Sequence, residues 1–189
     1  MTPTHHPVRI LLAATLAALA LSACGSRGPV VEEEETPEPS AHAANAVILP
    51  RATYGITAAG LQLTPADDKC DIPASLDQAI QDHLLTPYEF AVPSANADVA
   101  GAPTLKIEIT DLLQNAGGLY GGPKIVQLRG ELHRPDAPTK HFVAQRQMFI
   151  YFGLPRSTCG MVGNVTYALG ADIARWLQAP QDGAKLGVW

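Results

Sequence analysis

Three consecutive segments between Leu105 and Phe152 alternate apolar and polar residues, and this pattern constrains the fold more than any other feature. Side chains of a strand point to opposite faces in turn, so a period of two is typical of strands with one buried and one wet face. A glycine-rich connection, residues 115–123, joins the first two segments, and residues 134–140 join the last two. We therefore expect an antiparallel meander, with Leu132 opposite Phe142 and Val126 opposite Met148.

Two other segments have helical spacing. The first follows Cys70, with Asp71 as its N-cap and Pro73 in its first turn, and it ends before Pro87. The second begins near Ser157 or Thr158, either of which could cap it, and its apolar stripe consists of Val162, Val165, Leu169, Ile173 and Leu177. Its glycines predict a close approach to the sheet, with the small pair Gly130 and Ala144 as the place where it sits.

Shorter extended segments complete the predicted topology. One lies at residues 46–49 and another spans Tyr88 to Val92, while residues 54–63 are a further candidate. The order β-α-β-β-β-β-α predicts an α+β fold, in which an antiparallel sheet of four to five strands carries two helices on one face. Residues 45–180 are expected to form this single domain, and residues 181–189, after Pro180, a flexible tail.

The N-terminus has the three parts of a secretory signal. Arg9 precedes an apolar run from Ile10 to Leu21, and small residues follow before Cys24. The run is shorter than the roughly 20 apolar residues of a membrane-spanning helix, which disfavours the alternative of an uncleaved anchor. Residues 1–23 are therefore predicted to be a signal peptide.

The segment Leu21-Ser22-Ala23-Cys24 resembles the lipobox of bacterial lipoproteins. The resemblance implies cleavage before Cys24 and attachment of acyl chains, such as palmitate, to that cysteine. Two or more chains hold a protein firmly at a bilayer. Gly25 stands where an Asp would suggest retention at the inner membrane, so the resemblance implies a lipid anchor in the outer membrane with the protein facing the periplasm.

We expect residues 24–44 to form this anchor followed by an acidic, disordered tether. Four consecutive glutamates, Glu32 to Glu35, and two nearby prolines leave too little apolar surface to fold, although a binding role for the acidic run is the alternative.

Without residues 1–23 the chain has 12 basic and 18 acidic residues, because Arg9 is removed, and its formal charge is 12 − 18 = −6. That balance disfavours nucleic acid as a partner.

If Cys24 carries lipid, two cysteines remain, Cys70 and Cys159. An exported protein occupies a compartment in which disulfides persist, and an even count predicts one structural bridge, with two free thiols as the alternative. The bridge would join the N-termini of the two helices. The absence of a Cys-x-x-Cys spacing disfavours a redox role.

Two parts of the sequence are candidate binding sites, the glycine-rich segment and a group of two histidines and an aspartate. The glycine-rich segment ends at Lys124 but lacks the spacing and the Ser or Thr of a phosphate-binding loop, so we expect its apolar residues Leu119 and Tyr120 to contact a protein partner. His133, Asp136 and His141 could ligate zinc across a turn, but a polar surface is the favoured interpretation.

No catalytic residue, metal or cofactor is predicted. The sequence has no Gly-x-Ser-x-Gly motif, and carboxylate pairs such as Glu108 and Asp111 are common on solvated strands. Arg146 interrupts an apolar face and should meet Asp172 or Asp111, unless the register is wrong or its stem lies along the sheet edge.

The order of elements is similar to the small α+β domains of lipoproteins that assist envelope machinery, including auxiliary lipoproteins of transporters and cofactors of wall synthesis. That similarity implies a non-enzymatic accessory or binding module, with the membrane and an envelope protein as partners. A carrier of a lipid or other apolar ligand, held between helices and sheet, is the alternative. A hydrolase with scattered site residues is a third possibility.

Overall fold

The structure, a computed structural model, describes residues 45–93, 101–114, 122–149 and 157–188. Its elements confirm an α+β fold with two helices. In chain order they are β1 (Ala46–Ile48), β2 (Thr53–Tyr54), α1 (Ile72–His83), β3 (Phe90–Val92), β4 (Thr104–Leu113), β5 (Lys124–Arg134), β6 (Ala137–Met148), α2 (Thr158–Gln178) and β7 (Ala184–Gly187).

The sheet has seven strands and is mixed. Strands β4, β5 and β6 form the predicted antiparallel meander. The strand order is β3-β1-β4-β5-β6-β7, with β2 also paired to β4, and β1, β2, β3 and β7 all make parallel pairs. The extended segments predicted at residues 46–49 and 88–92 are present as β1 and β3. The predicted count of four to five strands and their purely antiparallel arrangement were wrong, because a short segment does not show which strand it pairs with or in which direction.

The C-terminal segment is part of the sheet. Residues 184–187 form β7 beside β6, and the amide of Val188 donates to the carbonyl of Gln145 at 3.0 Å. The indole Nε1 of Trp176 also donates to the carbonyl of Gln181 at 3.0 Å. The expectation of a flexible tail over residues 181–189 was wrong for the part that the structure describes.

The register of β5 against β6 differs by two residues from the predicted one. Gly130 lies opposite Phe142 and Leu132 opposite Lys140, because β6 already begins at Ala137, after a two-residue turn. An even shift leaves every side chain on its expected face. The predicted division into a buried and a wet face is thus confirmed, although the cross-strand partners are not.

Both helices pack on one face of the sheet, and their apolar side chains share one core with it. On the helices this core comprises Ile72, Leu76, Ile80, Val162, Val165, Leu169, Ile173 and Leu177, and on the sheet Leu105, Ile107, Ile109, Val126, Leu128, Leu132, Phe142 and Ala144. The opposite face is polar, and there Arg129 Nε donates to Glu108 Oε2 at 2.6 Å. The sequence predicted this arrangement.

The two helices begin in different ways. Ser157 caps α2 as expected, since its side chain accepts a hydrogen bond from the amide of Gly160 at 3.0 Å. Asp71 precedes α1 but does not cap it, because its backbone is left-handed (φ 50°) and its carboxylate contacts Arg51 Nη2 at 2.5 Å. The amide of Ile72 instead donates to Asp68, at 2.6 Å.

Two glycines allow close contacts, but not those that the sequence suggested. A Cβ atom on Gly170 would lie 2.6 Å from the backbone carbonyl carbon of Ala79, so this glycine lets α2 approach α1. A Cβ atom on Gly130 would lie 2.2 Å from the ring of Phe142, which packs on Trp176 with a centroid distance of 4.7 Å. Gly130 therefore accommodates an aromatic ring rather than the helix backbone.

Arg146 meets Asp172, one of its two expected partners. Its Nε and Nη2 atoms donate to the two carboxylate oxygens of Asp172 at 2.8 and 2.9 Å, a bidentate pair in which the carboxylate is buried. Arg175 Nη1 lies 3.5 Å from the same carboxylate. The charged residue on the apolar side of β6 is thus neutralised from α2.

The predicted disulfide between Cys70 and Cys159 is present. The two residues are 89 apart in sequence, and their Cα atoms lie 5.1 Å apart. Cys70 stands two residues before α1, and Cys159 is the second residue of α2. The bridge joins the starts of the two helices, and closing so long a loop removes a large conformational entropy from the unfolded chain.

A matched pair of glycine substitutions tests the helix contact. Gly163→Ala should raise the free energy of unfolding by about 0.5–1 kcal/mol, since nothing lies within 4 Å of the added Cβ and alanine favours helix. Gly170→Ala should lower it by about 1–3 kcal/mol, because the backbone of α1 occupies the space. Urea unfolding measures both, and equal effects of the two substitutions would contradict the close approach.

Candidate functional site

The end of the sheet where β4 stops and β5 starts is the candidate site. It flanks residues 115–121, which contain Leu119 and Tyr120 and, like Cys24, lie outside the described residues. The disulfide and a set of buried and half-buried polar groups lie at the same end, because Gln114 hydrogen-bonds to residues just before α1. We call the hydrogen-bonded group of Tyr54, Asp68, Gln114 and Lys124 the stem.

Asp68 is the centre of the stem. Its Oδ2 atom accepts from the hydroxyl of Tyr54 at 2.8 Å and from the amide of Ile72 at 2.6 Å. Its Oδ1 atom accepts from the amide of Cys70 at 2.9 Å and from Gln114 Nε2 at 2.8 Å. One carboxylate therefore connects β2, the disulfide, the first turn of α1 and the end of β4.

These contacts change the ionisation of both acidic groups. Burial raises the pKa of Asp68, but the four hydrogen bonds to its carboxylate outweigh burial, and the net pKa is lowered. Burial and the hydrogen bond to Asp68 raise the pKa of the Tyr54 phenol above its ordinary value. Asp68 is thus held as a carboxylate and Tyr54 as a neutral donor.

Gln114 and Lys124 hold the two strands on either side of residues 115–121. Gln114 is buried, and its Oε1 atom accepts from the amide of Lys69 at 2.9 Å. Lys124 is buried as well, and its Nζ atom donates to the carbonyl of Gln114 at 2.5 Å. The lysine of the glycine-rich segment therefore belongs to the stem.

Apolar side chains lie at the same ends of the strands as the stem. Leu113 lies opposite Ile125, one register position beyond the core pair of Leu112 and Val126. Leu113 is 37% exposed, and Phe149, just past the end of β6, is 49% exposed. We call Leu113, Ile125 and Phe149 the apolar end, and exposed groups of this kind are typical of contact surfaces.

The other candidates from the sequence lie apart from this end. His141 Nδ1 lies 3.0 Å from Asp182 Oδ1, whereas His133 Nε2 lies 3.3 Å from Glu131 Oε2. Among residues 45–93, 101–114, 122–149 and 157–188, no three His, Cys, Asp or Glu side chains form a group suited to a metal ion. His133 and His141 thus contact different carboxylates.

Glu108 and Asp111 have separate partners too. Arg129 pairs with Glu108, and Asp111 Oδ1 accepts from the amide of Leu112 at 2.8 Å.

Within the described part of the chain, no helix has the length and apolar character needed to cross a membrane.

Sequence reasoning missed Asp68 and Gln114. The only available signals were an Asp four residues before the helix start and a Gln that ends an apolar strand. Neither signal shows that these residues, 46 positions apart, meet each other.

Comparisons with known proteins give similarity only at the level of structure. No family model matches the sequence, and no curated protein matches it. Eighteen chains of solved structures are similar. One is an uncharacterized protein, with a TM-score of 0.49, 10% identity, and coverage of 71% of this chain and 92% of the other.

Two more solved structures show a similarity of comparable or lower degree. A PelC dodecamer from Paraburkholderia phytofirmans has a TM-score of 0.48 and 12% identity, over 72% of this chain and 91% of its own. A Xanthomonas campestris protein of the DUF330 family has a TM-score of 0.40 and 10% identity, over 70% and 83%. At these values the resemblance concerns the general chain path and says nothing about activity.

Replacement of Asp68 tests the stem. Because its folded-state pKa is lowered, this carboxylate contributes stability above its unfolded pKa of about 4, and the contribution is lost as pH falls through the folded-state value. We expect Asp68→Asn to lower the free energy of unfolding by about 1–3 kcal/mol at pH 7, since an amide cannot accept all four hydrogen bonds.

The difference in the free energy of unfolding between Asp68→Asn and the unmodified protein should narrow below about pH 4, because the unfolded chain there takes up a proton that the native carboxylate binds only at lower pH. Asp136→Asn, in the exposed turn between β5 and β6, removes the same charge and is the matched control. Urea unfolding from pH 3 to pH 7 measures the effect. A difference that does not change with pH would contradict the role of the carboxylate.

Proposed function

We propose that this protein is a lipid-anchored periplasmic lipoprotein that acts as a non-enzymatic accessory module of the cell envelope. It docks an envelope protein through the apolar end together with Leu119 and Tyr120. The observation that carries the proposal is the exposure of Leu113 and Phe149 beside a hydrogen-bonded stem in which Gln114 and Lys124 are buried. Binding residues are commonly presented by connecting segments on a rigid scaffold, which is what the stem supplies.

The anchoring part of the proposal rests on the N-terminal sequence. The lipobox-like segment ends at Cys24, and the acidic run of residues 32–35 follows it. A flexible tether of 20 residues reaches about 25 Å by random-coil scaling, so the domain can act at a distance from the outer membrane. The disulfide supports export, because such bonds persist in oxidising compartments.

The carrier alternative has less support. A ligand held between the helices and the sheet would need space there, but the apolar side chains of both layers form one continuous buried cluster. An apolar ligand would therefore have to use a surface groove. The docking proposal needs no such space.

Replacement of the lipobox cysteine tests the anchor. Cys24→Ser should move the protein from the membrane fraction to the soluble fraction and abolish its labelling by radioactive palmitate, since serine cannot take the thioether-linked lipid. The unmodified protein is the control. Equal labelling of both proteins would contradict acylation at Cys24.

A pair of surface variants tests docking. Leu119→Ser with Tyr120→Ser should abolish the chemical cross-link between the full-length protein and its envelope partner. Ile56→Ser with Leu61→Ser is the matched control, because both residues are exposed and apolar (56% and 67%) and lie on a separate segment. Mass spectrometry of the cross-linked species measures the effect. An identical cross-link in both variants would contradict docking through this end.

A further inference from the structure

A hairpin of residues 55–63, which follows β2, is a second exposed apolar feature. Ile56 pairs with Gln62 across it in an antiparallel bridge. Ile56 is 56% exposed and Leu61 is 67% exposed. Side chains alternate between the two sides of an extended chain, so Leu61, next to Gln62, points to the side opposite Ile56. The hairpin therefore exposes an apolar side chain on each of its two sides.

No charged side chain interrupts this part of the chain. Residues 52–66 contain no Asp, Glu, Lys, Arg or His, although 16% of the residues of the whole chain are charged. The tip of the hairpin, residues 58–60, consists of two alanines and a glycine, and all three are exposed. Moving a charge from water into lipid is costly, and this segment has no charge to move. Its composition therefore suits a lipid surface.

The backbone of the hairpin is hydrogen-bonded within the hairpin itself. The amide of Thr57 donates to the carbonyl of Leu61, and the amide of Gly60 donates to the carbonyl of Thr57, both at 2.9 Å. The amide of Leu61 donates to the hydroxyl oxygen of Thr57 at 3.1 Å, and Gln62 Nε2 donates to the carbonyl of Leu63 at 2.9 Å. A backbone polar group without a partner is costly in lipid. These internal bonds therefore lower the cost of placing the hairpin there.

The base of the hairpin is attached to the sheet. The amide of Gly55 donates to the carbonyl of Ile109 in β4 at 2.9 Å. The preceding residue, Tyr54, belongs to the stem through its hydrogen bond to Asp68. A fixed base holds the tip in one orientation, which reduces the conformational entropy that is lost when the tip contacts a surface.

The tether is long enough to bring this end of the domain to a bilayer. β1 pairs with the start of β4 and β2 with its middle, so Asn45, the first described residue, lies about 25 Å from the base of the hairpin at the strand rise of ~3.3 Å per residue. Residues 24–44 span about 25 Å as a random coil, and more when their like charges repel each other. Cys24 and the tip of the hairpin can therefore lie in the same membrane surface.

We propose that the hairpin of residues 55–63 inserts its tip into the lipid surface to which the protein is anchored. The proposal rests on the lipid anchor of the proposed function, which keeps a bilayer within reach of the domain. Ile56 and Leu61 then occupy the boundary between headgroups and acyl chains, where burial of apolar area favours binding. The nearest charged residues in the chain, Arg51 and Asp67, stay on the water side.

This lipid contact is separate from the protein contact. The envelope partner binds through the apolar end with Leu119 and Tyr120, whereas the hairpin touches lipid. The tether keeps the domain at the membrane when the hairpin is altered. Serine at positions 56 and 61 therefore removes the lipid contact and leaves the cross-link to the envelope partner in place.

Fluorescence quenching by a brominated lipid tests the contact. The mature chain, residues 24–189, carries Cys24→Ser and an N-terminal hexahistidine tag, and a nickel-chelating lipid holds it on phosphatidylcholine vesicles. The tag takes the place of the acyl chains, so the result does not depend on acylation. Leu61→Trp is the reporter, and Leu85→Trp, at a residue that is 57% exposed just past the end of α1, is the matched control.

The added emission is measured against the chain that has only its own Trp176 and Trp189. The emission added by Leu61→Trp should lose most of its intensity when the vesicles contain phosphatidylcholine brominated near the top of its acyl chains, and the emission added by Leu85→Trp should not change. Ile56→Asp in the Leu61→Trp chain should remove the quenching, because it places a charge in the hairpin.

Each outcome bears on the proposal. Quenching at position 61 that is absent at position 85 and is removed by Ile56→Asp supports insertion of the hairpin. Equal quenching at both positions, or none at position 61, would overturn it. Palmitate labelling of Cys24 tests the anchor separately, so failure of the anchor and failure of the hairpin are distinguishable.

Discussion

The bond between Cys70 and Cys159 holds together the starts of the two helices, and the remaining architecture depends on it. With their starts joined, α1 and α2 pack so closely that only glycine fits at position 170, opposite the backbone of Ala79. Asp68 stabilises the same region and connects it to the sheet, because its carboxylate accepts from the amide of Cys70 and from Gln114 at the end of β4. A covalent bond and one half-buried carboxylate thus connect both layers of the fold at a single place.

The exposed apolar groups and the one charged residue of the core side lie in different parts of the sheet. The apolar end is formed by strand ends, whereas Arg146 lies between β6 and α2. A charge on the core side of β6 requires a partner, and Asp172 supplies it from α2 through two hydrogen bonds. One ion pair between the sheet and α2 therefore explains the irregularity in the alternating pattern.

The sequence predicts the long elements well because their signals repeat. The alternation in β4 to β6, the stripe of α2 and the cap at Ser157 each rest on several residues or on one local hydrogen bond. The sequence also predicts an extended segment at β1, but the parallel pairing of β1 and the existence of β7 depend on strands elsewhere in the chain, and nothing within three or four residues shows this. The same limit applies to the site. The cysteine pair and the glycine-rich segment are visible in the sequence. The contact of Asp68 with the helix start and with Gln114, where the sequence predicts a cap by Asp71, is not visible there.

The position of β7 has a consequence for the order in which the domain can be completed. The chain leaves a ribosome or a translocation channel from its N-terminus, so β6 keeps an unpaired edge until residues 184–187 have emerged. Cys70 must likewise wait for a partner 89 residues later. Much of the sheet can assemble early, but the edge that would otherwise pair with other chains is covered last. Residues 184–187 therefore cover one edge of the long strand β6 and replace it with an edge strand of only four residues.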